Sequence, residues 1–322
     1  MKVGVIGYGS IGKRHINNLI NLGIKDIILL RELNRGNELD LKEVFTIEDL
    51  LKENIDFIIL SNPTSYHYKF LSLIIGAQIP VFAEKPLVLN EIEIVNLKHQ
   101  LKDYKKVGMT AFNMRFHPCV KKALELVQFG YVGEIYQARF FVGQYLPDWH
   151  PNTDYKKSYS ARIDLGGGVL MDLIHEIDLA YIFTGPSSEL MTTYIGQFGK
   201  LDIETEDTAD ITYISKNNIL VNIHLDYLNR GIKRDFQLYG SKGWVSVDLV
   251  ENNIKGYSSS DGTKEYSFKD FVRNQMYLEI LKTFIECLKS GESINPDLVD
   301  GLRASDLAVK ARKHNNFQID ES

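Results

Sequence analysis

The chain has 322 residues, too many for one ordinary core, and length alone favours two domains. Its composition, 44% hydrophobic and 25% charged, is that of a soluble globular protein, and a net charge of −5 with no long Lys/Arg run argues against a nucleic-acid partner. No apolar stretch approaches membrane-span length, the start carries no signal-peptide pattern, and Cys119 and Cys287 stand far apart, so a reducing cytoplasm without a disulfide framework is expected.

The first predicted strand, Lys2-Val3-Gly4-Val5-Ile6, runs into Gly7-Tyr8-Gly9-Ser10-Ile11-Gly12 and a helical pattern through Leu22. In that context Gly7 permits a tight turn, Gly9 lets a pyrophosphate approach the backbone, and Gly12 lets helix pack closely on strand. The helix N-terminus offers free N–H groups and the positive end of its dipole to the phosphates. The alternative is a glycine-rich turn with no ligand, and the strand before and helix after argue against it. The next strand, residues 27–30, ends in Arg31-Glu32. Glu32 lies about where an acid accepts from the adenosine ribose hydroxyls and favours NAD, whereas Arg31 can receive a 2′-phosphate or stack on adenine. Both also fit an exposed pair at a strand end. The expected cofactor is therefore NAD or NADP, with NAD slightly favoured.

A helix around residues 47–52 precedes a strand over 56–60 and the loop Ser61-Asn62-Pro63-Thr64-Ser65-Tyr66-His67. Ligands of parallel sheets bind at the carboxyl ends of strands, which makes Ser61, Asn62 and Pro63 cofactor candidates. His67 opens the next helix, as a cap or loop contact or as a functional group. That helix leads to Pro80-Val81-Phe82-Ala83 and then Glu84-Lys85-Pro86. Pro86 biases Lys85 to an extended backbone, so its ammonium is either half of an ion pair or a placed reactive group. A helix over 91–101 and a strand over 106–110 end in Ala111-Phe112-Asn113-Met114-Arg115-Phe116-His117-Pro118.

The order and spacing of Gly7/Gly9/Gly12, Asn62-Pro63 followed by His67, Glu84-Lys85-Pro86, and Asn113-x-Arg115-Phe116 before Pro118 resemble the Gfo/Idh/MocA family, the glucose–fructose oxidoreductase and inositol dehydrogenase group. The resemblance implies a cofactor site drawn from Gly7, Tyr8, Gly9, Ser10, Ile11, Gly12, Arg31, Glu32, Ser61, Asn62, Pro63, His67, Glu84, Lys85, Asn113 and Arg115. It implies that Lys85 contacts both cofactor and substrate at the reacting carbon. Glu84 is expected to form its ion pair with a group other than Lys85.

The second half reads as a helix over 120–129, a long strand over 133–142, and strands over 190–198, 208–214, 219–225, 233–239, 243–249 and 253–257, separated by turn signals. Sequential strands with turn-length links predict a large antiparallel sheet. Between the first two lies the loop over residues 145–162, in which Tyr145, Trp149, Tyr159 and Arg162 are substrate candidates. Its aromatic rings suit a sugar, and Arg162 suits a carboxylate or phosphate; an ordered surface loop or interface arm is the plain alternative. Then Gly166-Gly167-Gly168 precedes an apolar helical pattern in which Asp172 and His175, three apart, share one helix face. An acid beside an imidazole can serve a general base, or the pair can be buried and merely satisfied. The resemblance implies the former: His175-x-x-Asp178 matches the family pattern, and lysine, aspartate and histidine meet around the substrate hydroxyl. Asp172 lies three residues before the histidine where many members have four. No metal site is expected, since His175-Glu176 lacks a second ligand at zinc spacing. Glu206-Asp207, before a strand, reads as solvated. Tyr277, Ile280, Phe284 and Leu288 form the core stripe of a long helix over 271–288, and a last helix spans 296–312.

The expected architecture is α/β plus α+β: a doubly wound Rossmann domain over 1–118, and a domain with a large, mostly antiparallel sheet over 119–322. The expected activity is hydride transfer between a nicotinamide cofactor and a hydroxyl-bearing carbon of a sugar, sugar derivative or nucleotide sugar. An NAD-dependent, redox-neutral glycoside hydrolase and a non-catalytic dinucleotide-binding regulator are the alternatives. The resemblance also implies a homodimer or homotetramer formed through the second sheet.

Overall fold

The structure, a computed structural model, describes residues 1–31, 36–149 and 154–315. In chain order the first part contains β1 (Lys2–Ile6), α1 (Ser10–Asn21), β2 (Asp26–Leu30), β3 (Lys42–Val44), α2 (Ile47–Leu51), β4 (Phe57–Leu60), α3 (His67–Gly76), β5 (Val81–Ala83), α4 (Glu91–Gln100) and β6 (Gly108–Thr110). The six strands form one sheet in the order β3-β2-β1-β4-β5-β6, and every pairing is parallel. A parallel sheet is covered on both faces, so its strands read as near-continuous apolar runs. Phe57-Ile58-Ile59-Leu60 is buried at every residue. The strand order reverses between β1 and β4, and ligands of such sheets bind outside the carboxyl ends at that switch point. Sequence reasoning missed β3, a three-residue edge strand too short for a periodic signal.

Next come α5 (Pro118–Gln128), β7 (Ile135–Gly143), α6 (Val169–Asp172), α7 (His175–Thr184), β8 (Ser187–Gly196), β9 (Thr208–Ser215), β10 (Leu220–Asp226), β11 (Lys233–Gly240), β12 (Gly243–Asp248), β13 (Asn253–Ser258) and β14 (Gly262–Ser267). These strands form an eight-stranded sheet in the order β14-β13-β12-β11-β7-β10-β9-β8. Only the central β7–β10 pair is parallel; the other pairings are antiparallel. The strands β7 and β9–β13 bury residues on one face in alternation. Phe140 and Phe236 stack at 5.6 Å on that face, and Phe183 of α7 meets Phe236 at 4.9 Å, which seats the helix on the sheet. The edge strand β14 was not expected, because its polar residues carry little alternation.

The chain then forms α8 (Asn274–Ser290) and α9 (Leu298–Lys313). It separates into two compact units, Met1–Asn113 with Arg273–Ser305, and Met114–Val272 with Asp306–Ser322. A single cut after residue 118 omits this return. The predicted stripe on α8 explains it: Phe284 meets the rings of Phe57 and Phe82 edge-on at 5.2 and 5.6 Å, with Ile280 and Tyr277 buried beside it. The Asn18 and Asn274 side-chain amides bond each other reciprocally, locking α8 to α1.

Candidate functional site

The glycine loop performs the mechanics its spacing predicts. Gly7 has a φ of +101°, and a Cβ there would lie 2.6 Å from the Asn62 nitrogen. A Cβ on Gly12 would lie 2.3 Å from the Gly7 carbonyl oxygen, so the close approach of α1 to the turn requires glycine. A Cβ on Gly9 would meet nothing within 4 Å, leaving the backbone open to a ligand. Helix α1 has no side-chain cap and no acid in its first turn, so its terminal N–H groups and positive dipole end face outward, as phosphate binding requires. Ser61 donates to the carbonyls of Ile6 and Gly7, tying the end of β4 to the turn.

Among the buried acceptors of the first unit with no hydrogen-bond partner among the described residues, two lie just beyond strand ends of the sheet: Asn62 Oδ1 after β4 and Asn113 Oδ1 after β6. A buried acceptor left unsatisfied costs about 1–3 kcal/mol, so each fits a donor from a bound molecule. Together with the glycine loop, they fit a dinucleotide.

Lys85 follows β5 and is half-buried, with a cis peptide to Pro86. Its main chain is held from two sides. Glu84 Oε2 accepts the Lys85 N–H at 3.3 Å, and the other carboxylate oxygen pairs with His15 Nε2 of α1 at 2.8 Å. His15 is fully buried between the rings of Phe82 and Tyr277. Burial alone would raise the Glu84 pKa, but the hydrogen bond and charge of His15 outweigh it and hold the carboxyl below its ordinary value. Glu84 thus pairs with His15. Neither periodicity nor motif singled out His15; the available signal was a polar residue on the buried face of α1, three after Gly12.

His67 is buried, and both of its ring nitrogens face carbonyl oxygens: Nδ1 lies 2.7 Å from Pro86 O and Nε2 lies 2.8 Å from Asn62 O. Burial pushes the imidazole pKa down, while the two carbonyls favour the charged ring. The lowered pKa favours the neutral ring, which donates to one of the two carbonyls. His67 thus fills the space between the Asn62-Pro63 loop and the peptide after Lys85. Arg31 caps the end of β2 and donates to Gly36 O at 2.7 Å and Glu43 Oε1 at 3.1 Å, with its guanidinium 5.2 Å from the Tyr8 ring. Glu32 lies outside the described residues.

In the second unit, Arg115 forks onto Asp178 of α7 at 2.9 and 2.5 Å, with both groups buried. Its guanidinium serves an internal pair, a use no spacing rule distinguishes from phosphate binding. Arg234 similarly clamps Glu176 at 2.7 and 3.0 Å. Asp172 and His175 do not share one helix. Helix α6 ends at Asp172, Leu173 leaves helical geometry with ψ +27°, and α7 starts at His175. The i, i+3 argument for a common face therefore fails, because it assumed a continuous ladder. Instead, Asp172 Oδ2 accepts from Ser160 Oγ at 2.5 Å and from Tyr227 OH at 3.2 Å. Tyr227 is fully buried, and burial followed by the Asp172 charge drives its pKa well above the ordinary phenol value. Neither Ser160 nor Tyr227 carried a sequence signal.

The aromatic loop is partly internal. Trp149 packs edge-on against Tyr227 at 5.3 Å and donates to Gln144 O, Tyr159 donates to Gly166 O, and Tyr145 lies under Arg230 at 3.4 Å. Arg162 is exposed and paired with Asp164. The expectation of a solvated Glu206-Asp207 is overturned. Asp207 is fully buried and accepts from the N–H groups of Phe198 and Gly199, and Glu206 accepts from Leu170 N–H and Arg312. A loop carboxylate was needed to satisfy donors at the start of α6 and after β8. Among the described residues no helix is long and apolar enough to cross a membrane.

Comparison with known proteins agrees with this anatomy. The family model described as "Oxidoreductase family, NAD-binding Rossmann fold" matches residues 1–112, and that of the "GFO/IDH/MocA C-terminal domain" matches residues 120–246, together more than half of the chain. The chain is 28% identical over 337 residues to myo-inositol 2-dehydrogenase of Thermotoga maritima, covering 97% of this chain and 96% of that protein. It is 25% identical over 323 residues to UDP-N-acetylglucosamine 3-dehydrogenase of Acidithiobacillus ferrooxidans, covering 97% and 96%. Levoglucosan dehydrogenase, solved with NADH and levoglucosan, shares the fold with a TM-score of 0.86 at 17% identity, over 98% of each chain. The chain belongs to the Gfo/Idh/MocA family of oxidoreductases, and its first unit carries that family's NAD-binding Rossmann fold.

Proposed function

We propose that the chain is an NAD-dependent dehydrogenase acting on a CH–OH group of a sugar, sugar derivative or nucleotide sugar. The observation that carries the cofactor is the pair of buried acceptors Asn62 Oδ1 and Asn113 Oδ1, without a partner among the described residues, at strand ends of the sheet that carries the uncapped glycine loop. Backbone N–H groups at the start of α1 hold the pyrophosphate, and the two asparagines accept from hydroxyl or carboxamide donors of the dinucleotide. Bound NAD supplies the hydride acceptor.

The remaining chemistry belongs to the protein. Lys85 donates to the reacting substrate oxygen and stabilises the negative charge that develops there. His175 takes the hydroxyl proton as general base. Asp172, held by Ser160 and Tyr227, orients the sugar or the imidazole. These roles rest on the resemblance of Glu84-Lys85-Pro86 and His175-x-x-Asp178 to the family motifs. Tyr145, Trp149 and Tyr159 supply ring faces for the sugar. Inositol, levoglucosan and UDP-N-acetylglucosamine, named for the relatives, support a polyhydroxylated ring as substrate.

The same reading makes the protein a cytoplasmic homodimer or homotetramer. Its two cysteines are buried free thiols in different units, which suits a reducing compartment. Tyr194, Tyr239 and Tyr257 are exposed at 49%, 37% and 45% on strands of the eight-stranded sheet, as an association face requires. The test is to supply purified protein with NAD and a panel of inositols, anhydrosugars and nucleotide sugars, following the absorbance of reduced nicotinamide. Turnover of one member is the expected result. Absence of both nucleotide binding and turnover would overturn the proposal.

A further inference from the structure

The end of β2 poses a chemical problem. An arginine directly after that strand is a ready receptor for a 2′-phosphate, yet this chain belongs to a family with an NAD-binding Rossmann fold. Arg31 is not free to act as that receptor. Its Nη1 donates to Gly36 O and to Glu43 Oε1, and its guanidinium lies over Tyr8 of the glycine loop. Glu43, in β3, has a side chain only 9% exposed. Asn37 donates to the same Oε1 at 2.9 Å, and itself receives Leu41 N–H at 2.8 Å, so the loop from Gly36 to Lys42 is folded around this carboxylate. Glu43 Oε2 is buried with no hydrogen-bond partner among the described residues.

We infer that Glu43 sets the dinucleotide preference of this chain by engaging Arg31, so that an adenosine 2′-hydroxyl is accepted and a 2′-phosphate is refused. The inference rests on the dinucleotide reading of the glycine loop given above. Its logic is electrostatic. Arg31 and Glu43 sum to zero charge, so the pair offers a phosphate no net attraction. A phosphate would compete with Glu43 for Arg31, leaving a part-buried carboxylate that already lacks one partner with Asn37 as its side-chain donor. Separating a part-buried ion pair is unfavourable because the abandoned charge stays partly desolvated. A 2′-hydroxyl is neutral and leaves the pair intact. Glu43 is thereby a specificity-determining residue supplied by a short edge strand.

The test measures binding, not turnover. Full-length protein freed of bound nucleotide is titrated calorimetrically with NAD and with NADP, as wild type and as Glu43→Gln, Glu43→Ala and Arg31→Ala/Glu43→Gln. The isosteric Glu43→Gln keeps the packing and removes the charge, so it decides the matter if the alanine variant fails to fold. The ratio of NADP to NAD affinity should rise at least tenfold in Glu43→Gln, and that gain should vanish in the double variant. An unchanged ratio in a folded Glu43→Gln protein, or a gain that survives loss of Arg31, overturns the inference. Failure of wild-type protein to bind either nucleotide would instead overturn the dinucleotide reading itself, which keeps the two failures distinct.

Discussion

The segment that presents Lys85 and the segment that presents Asp172 are secured by different kinds of contact. Around Lys85 the contacts end on main chain: His67 sits between two carbonyls, Glu84 receives the Lys85 N–H, and Ala111 N–H reaches Ala83 O at 2.8 Å. Around Asp172 the main chain is also tied, by Gly168 N–H to Ser160 O and Val169 N–H to Glu206 O, but the carboxylate itself, at the end of a one-turn helix, receives two hydroxyl bonds. Main-chain clamps set where a residue sits, so breaking them costs stability. Hydroxyl clamps set which way one side chain points, so breaking them costs rate or selectivity while the unit stays folded.

Four experiments strain that contrast. The largest effect is expected from Lys85→Ala, which should lower kcat by roughly 10²- to 10³-fold, the usual cost of losing one donor to a developing oxyanion. Calorimetry should still detect dinucleotide binding, and normal turnover would remove Lys85 from the reacting oxygen. Next is Glu84→Ala, which strands buried His15 and should cost about 3–5 kcal/mol in denaturant unfolding, the range for breaking a buried pair from one side. Tyr227→Phe removes one hydroxyl bond to Asp172. It should cost about 1 kcal/mol of stability and lower kcat/KM by about tenfold, with the fold intact by circular dichroism. If Glu84→Ala unfolds no more readily than Tyr227→Phe, the distinction between the two regions is wrong.

The smallest effect concerns His224, on β10 of the second unit. Burial would lower its pKa, but hydrogen bonds and charge from Asp210 and Asp226, at 2.8 and 3.1 Å, raise it to about 9. A raised folded pKa means stabilisation that is complete below the ordinary value of 6.5 and is lost as pH climbs through about 9. The side chain is 30% exposed, so screening reduces the loss to the order of 1 kcal/mol. Urea melts between these pH values should show it in wild type, and a pH-independent difference in His224→Gln. Loss of the same slope in Glu84→Ala would mean that the two units do not titrate separately.

The sequence alone determined the first sheet, its glycine turn and the two-unit architecture, because those signals are local. Strands buried on both faces read as unbroken apolar runs, and a turn in which a Cβ would lie 2.6 Å from the Asn62 nitrogen admits only glycine, so strand and turn announce themselves in a few adjacent letters. The stripe on α8 was equally legible, though not the unit it would join. Tertiary structure decided the partners. His15 with Glu84 are 69 residues apart, Tyr227 with Asp172 are 55 apart, and Arg31 with Glu43 lie across a strand too short to foresee. The break between Asp172 and His175 is of the same kind, since a helical pattern runs through it unmarked. Which acid a base meets depends on packing that brings distant chain together and on the cost of leaving either one buried alone. Periodicity along the chain carries no record of that choice.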